Sequence, residues 1–200
     1  LQGFTSEKVK QKLCVNISYN ISAKIMCRLL KNQEVILLQN TKNDNLVTET
    51  IDFVTKNVVK LLYQQGVTIA CAESCTGGML CEKITSVPGA SEVFEMGIVS
   101  YSNRIKTKLL GVPEEILEEY GAVSEQTARL MAKGAVSRSG SQIGVAVTGI
   151  AGPGGGTEKK PVGTVFVCVI KNENGKEIVD VRDLALYKEE KNLTREKVRQ

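Results

Sequence analysis

The stretch "VTIACAESCTGG", residues 67–78, decides how the chain reads. Its opening run is short and mostly apolar, which predicts a buried strand over 67–71. Glu73, Ser74, Cys75 and Thr76 follow, then the pair Gly77-Gly78, and residues 76–85 suit a helix. A strand that passes through a polar turn into a helix is the building unit of a layered α/β domain. Two potential nucleophiles, Ser74 and Cys75, stand side by side at the strand's end, and the chain contains no histidine to activate either.

The same alternation extends outward. Upstream, Leu46, Ile51, Val54, Val58, Val59, Leu61 and Leu62 recur near helical spacing, and Gly66 closes the helix. Downstream, 93–101 and 143–148 read as strands, and 103–110 and 114–120 as short helices. Ser124 N-caps a longer helix whose packed face carries Thr127, Ala128, Met131, Ala132 and Ala135. Residues 149–161 form a Gly/Pro loop, 162–170 and 177–184 are strands joined by the hairpin-like "KNENGK", and 195–200 opens a last helix. Residues 1–45 differ: they are rich in Lys, Asn and Gln and end in the linker-like "QNTKNDN", so they read as an N-terminal appendage of unassigned role beside a domain at 46–200.

Composition narrows the function classes. A content of 42% hydrophobic and 24% charged residues is that of an ordinary globular chain. The net charge of +4 admits an anionic small-molecule ligand. Basic residues are spread along the chain and aromatics make up 4%, so no stacking platform for nucleic acid is expected. No apolar run approaches the roughly 20 residues of a membrane span. The start lacks the apolar core of a signal peptide, and the expected location is cytoplasmic. The six cysteines include no CxxC pair, and without histidine a zinc site needs four converging thiolates, so reduced buried thiols and no metal or cofactor are expected. Oligomeric state, homo-oligomers included, stays open.

Several catalytic signatures are missing: GxxxxGK[ST], GxGxxG, GxSxG and SxxK. Zero histidines excludes a Ser-His-Asp triad outright. Three pieces remain. Around Ser74, the N–H groups of Thr76, Gly77 and Gly78 at a helix start suit an anion or oxyanion, with a plain helix cap as the alternative. In "SYSNRIK", 100–106, Tyr101, Asn103 and Lys106 follow a strand, and Tyr101 is expected to relay the proton or to hold the lysine. Lysine serves as a base when its pKa falls toward 7, by desolvation beside a cation such as Arg104; the alternative is a solvated helix lysine. In "VTGIAGPGGGTEKKPVG", 147–163, the glycines suit a backbone wall over a ligand, with Glu158, Lys159 and Lys160 on its solvated outer part; the alternative is a mobile surface loop.

"AESCTGG", "YSN..K", "LGV", "GAVSEQTARLMA" and "TGIAGPGGGTEKKPVGTV" together closely resemble the C-terminal domain of the CinA family, the nicotinamide-nucleotide amidases, over about residues 47–200. The resemblance implies a three-layer α/β/α domain with a mixed sheet. It implies hydrolysis of the carboxamide of nicotinamide mononucleotide to nicotinate mononucleotide and ammonia, with Ser74 as nucleophile, Lys106 as its partner and Tyr101 retained. The substrate-binding set expected around them is Glu73, Thr76, Gly77, Gly78, Asn103, Gly149, Ile150, Ala151 and Gly152. Cys75 is expected to pack under the helix. Leu193-Thr194 replaces the Gly-Asp that the family carries before its last helix, where Arg195 and Arg199 lie. The rival reading is a non-catalytic nucleotide-binding or regulatory domain of a competence- or DNA-damage-related protein.

Overall fold

The computed structural model describes residues 44–173, 176–188 and 192–199; the expected appendage at 1–45 falls almost wholly outside them. Helix α1 (Asp44–Gln65) leads into β1 (Ile69–Glu73), α2 (Met79–Thr85) and β2 (Phe94–Val99). Helices α3 (Asn103–Leu110), α4 (Glu114–Glu119) and α5 (Glu125–Ser139) precede β3 (Ile143–Gly149). The hairpin β4 (Val165–Glu173) and β5 (Lys176–Asp183) and the short α6 (Arg195–Arg199) complete the order. Each expected element of 46–200 is present, with some boundaries moved: the first strand begins at Ile69 and runs on through Glu73, and α2 begins at Met79.

The five strands form one mixed sheet in the order β2-β1-β3-β4-β5. β1 pairs in parallel with β2 and β3, whereas β4 pairs antiparallel with β3 and β5. β1 is buried along its whole length, which explains its unbroken apolar run. Its side chains alternate between two cores. Ile69 and Cys71 join Val54, Val58 and Leu62 of α1 and Leu80 and Ile84 of α2. Ala70 and Ala72 join Ala128, Met131, Ala132 and Ala135 of α5. Helices therefore cover both faces, giving the three-layer α/β/α architecture.

Small residues bring α5 close to its neighbours. A Cβ at Gly134 would fall on the Leu110 carbonyl oxygen, so α3 and α5 meet at backbone distance. That contact seats α3, and with it Lys106, above the sheet. The chain leaves β1 toward β2 on one side and later returns to β3 on the other. Connections that diverge from neighbouring parallel strands open a crevice at their C-terminal ends.

Candidate active site

Ser74 is the first residue after β1 and so sits at the mouth of that crevice. Its backbone N–H donates to the Val147 carbonyl of β3 at 3.0 Å, anchoring the candidate nucleophile to the next strand. The turn that follows closes by Gly77 N–H donating to the Ser74 carbonyl at 3.2 Å. Gly78, the N-cap of α2, has a φ of 103°, in the region glycine tolerates.

Lys106 comes from α3. Ser102 caps that helix by accepting from Ile105 N–H, and the buried positions of the helix are Lys106 and Leu110, one turn apart. The ammonium-bearing side chain is therefore aimed inward and is fully buried. Nζ lies 3.1 Å from Ser74 Oγ and donates to the Ser100 carbonyl at 2.6 Å. Burial pushes the Lys106 pKa down from 10.5 to about 8, because the charged form loses its hydration there. The cause is desolvation and not a neighbouring cation: Arg104, expected in that part, is exposed on α3.

Cys75 is buried, as expected, and burial pushes its thiol up to about 12. It stays protonated at neutral pH and so is a poor nucleophile beside Ser74. Among the described residues no cluster of His, Cys, Asp or Glu converges as a metal site, and no helix is long and apolar enough to cross a membrane.

A cavity of about 230 Å³ opens in front of Ser74 and Lys106. Gly149, Ile150, Ala151 and Gly152 line it, as expected of the Gly-rich loop, together with Gly154 and Gly155. The opposite wall is Ala122 and Val123, from the connection between α4 and α5. Among the described residues the amides of Ala151, Gly152, Gly154 and Gly155 have no protein acceptor.

Five expected binding residues lie elsewhere. Glu73 is buried, and its carboxylate accepts from the N–H groups of Gly78 (2.9 Å), Leu80 (3.2 Å) and Cys81 (2.8 Å). It turns toward α2, away from the cavity, and uses up the Gly78 amide that suited an oxyanion. The Gly77 amide is likewise taken, by Ser74 itself. Thr76 is buried, its carbonyl accepting from Arg199 at 3.2 Å and its Oγ1 unpartnered among the described residues. Asn103 is exposed at the start of α3 and does not line the cavity.

Tyr101 does line it, but its hydroxyl accepts from Arg195 at 2.6 Å and makes no hydrogen bond to Lys106. Among the described residues no hydrogen bond joins Tyr101 to Lys106 or Ser74, so neither the relay nor the hold on the lysine expected of Tyr101 is formed in this arrangement. Arg195 also donates to the Gly152 carbonyl at 2.7 Å, so α6 brings a guanidinium to the rim. The approach of α6 was not legible in a segment that lacks the usual Gly-Asp. Lys160, expected on the solvated side of the loop, instead folds back against the α4–α5 connection.

Comparison with known proteins agrees with this architecture. The model of the CinA C-terminal domain matches residues 51–200. A putative competence-damage inducible protein of Caldicellulosiruptor bescii is 58% identical over 117 residues, which are 58% of this chain and 28% of that protein. A CinA-like protein of Akkermansia muciniphila is 60% identical over 112 residues, 56% of this chain and 27% of that protein. The matched segment thus spans little more than a quarter of these relatives. Among solved structures, competence/damage inducible protein CihA from Agrobacterium tumefaciens has a TM-score of 0.66 and 38% identity, covering 74% of this chain and 86% of its own. A competence-damaged protein (CinA) superfamily protein from Escherichia coli has a TM-score of 0.63 and 31% identity, covering 74% and 87%. By sequence over 51–200 and by fold, the chain belongs to the CinA C-terminal domain family.

Proposed function

We propose that the chain hydrolyses the carboxamide of nicotinamide mononucleotide to nicotinate mononucleotide and ammonia. The observation that carries this reading is the 3.1 Å contact between Ser74 Oγ and the buried Lys106 amine. With its pKa near 8, a sizeable fraction of Lys106 is neutral under mildly alkaline conditions. Nζ donates to the Ser100 carbonyl and lies within hydrogen-bond reach of Ser74 Oγ, so that its neutral form accepts the hydroxyl's proton. As Oγ bonds to the amide carbon, its proton passes to Lys106. Lys106 then protonates the departing nitrogen as the C–N bond breaks. Water adds to the acyl-enzyme, gives its proton to Lys106, and Ser74 leaves with that proton restored. The loop amides without acceptors are available to the oxyanion or the phosphate, and Arg195 offers charge at the rim.

The test is ammonia release from the mononucleotide, with Ser74→Ala alongside. Turnover by the native protein is expected, with a fall of at least about a thousandfold in the variant. Tight binding without ammonia from the native protein would overturn the amidase reading in favour of a regulatory nucleotide-binding module.

A further inference from the structure

We infer that Lys160 is a positioning residue that clasps the two walls of the cavity together and so sets how well it holds the nucleotide. The inference rests on the amidase reading for its substrate, and on geometry of its own for the clasp.

Lys160 Nζ donates to the carbonyl oxygens of Tyr120 and Val123, each at 2.7 Å. These carbonyls lie 40 and 37 residues away in sequence, on the connection whose Ala122 and Val123 form one wall. Lys160 itself belongs to the loop that forms the other wall. The loop fixes its backbone locally: Thr157 N–H donates to the Lys160 carbonyl at 2.8 Å, and Lys160 N–H donates to Thr157 Oγ1 at 3.0 Å. Gly121 carries the turn between the two acceptor carbonyls. It has a φ of 80°, in the region glycine tolerates, while a Cβ there would make only ordinary contact with Lys160 Nζ at 3.7 Å. A cation on two carbonyls makes charge-assisted hydrogen bonds, stronger than neutral ones.

Each wall is secured without Lys160. Thr148 Oγ1 donates to the Ala122 carbonyl at 2.6 Å, and Ser124 and Thr127 hydroxyls donate to the Gly121 carbonyl at 3.0 and 2.8 Å. The root of the loop is held by Ile150 N–H on the Thr164 carbonyl and Gly163 N–H on the Ile150 carbonyl, both at 2.9 Å. What Lys160 adds is the relation between the walls. Losing it leaves each wall folded and Ser74 paired with Lys106, but lets the gap between the walls vary. Binding therefore weakens while the chemical step holds.

The experiment compares Lys160→Met and Lys160→Arg with the native chain. For the mononucleotide, Lys160→Met should raise KM about tenfold with kcat within about threefold, and Lys160→Arg should recover most of the loss by donating to both carbonyls. Unchanged KM, or a fall in kcat at constant KM, overturns the clasp. Hydrogen–deuterium exchange runs in parallel and needs no turnover. Lys160→Met should speed exchange of the hydrogen-bonded amides of Tyr120, Gly121 and Thr157 and leave 103–110 unchanged; equal exchange at all of these, or faster exchange throughout, overturns the clasp. If the native chain releases no ammonia, the amidase reading falls alone and exchange decides the role of Lys160.

Discussion

At the residue scale the proposed chemistry turns on one buried amine. Lysine accepts a proton only when neutral, so activity should rise with pH, and the rising limb of kcat/KM should report a pKa near 8 in place of 10.5. Lys106→Arg should be nearly inactive, because guanidinium stays protonated. Lys106→Met should match it. If arginine kept most of the activity and methionine did not, the group would be supplying charge and not accepting the proton. Ser74 and Lys106 stood out in the sequence because "AESCTGG" and "YSN..K" resemble the CinA family's motifs, and the absence of histidine leaves few other partners for a serine. Glu73 was misread for the opposite reason. A carboxylate next to a nucleophile looks like part of the site, and only the path of the chain shows that α2 turns three amides toward it. Lys160 was misread because its two acceptors are some forty residues distant.

At the element scale, the Glu73 carboxylate ties the end of β1 to the first turn of α2, where helix N–H groups have no partners of their own. Glutamine has one acceptor oxygen, and its amino group would face the donors. Glu73→Gln should therefore destabilise the fold by about 1–3 kcal/mol, read from urea denaturation. It should also lower turnover, since Ser74 sits in the turn this carboxylate holds. Equal stability of variant and native protein would remove Glu73 from that role. The elements themselves were mostly legible: apolar period marked α1, Ser124 marked the start of α5, and the apolar run marked β1. Their ends were not, because the polar Glu73 remains in the strand by pairing with Val99 and Val147. Sheet pairing outweighs local character there.

At the scale of the whole molecule, the amine proposed to serve the reaction weakens the fold. Unfolded, Lys106 binds a proton below about pH 10.5; folded, only below about 8. Between those values the unfolded state holds more protons, so stability rises with pH across that window. Below it the full penalty applies, on the order of 3 kcal/mol. Lys106→Met removes the penalty and keeps most of the buried volume. It should melt above the native protein at pH 7, with the gap closing as pH approaches 10.5, as followed by thermal unfolding. A gap that stays constant across this range would show that Lys106 is not desolvated as its surroundings indicate.

The amide of Ser74 hydrogen-bonds to the Val147 carbonyl, so the nucleophile is part of the sheet's own ladder. Most of the other lining groups (Ala122 and Val123, residues 150–155 of the glycine-rich loop, and Arg195 at the start of α6) lie outside that ladder, the first two sets on connections. Such a plan separates what can be exchanged from what must stay. Connections can be lengthened, shortened or grafted from another protein without shifting the reacting oxygen. A scaffold of this kind is suited to acquiring new substrates while conserving its reaction, and an engineer seeking another amide would begin with the connections and leave the strands untouched.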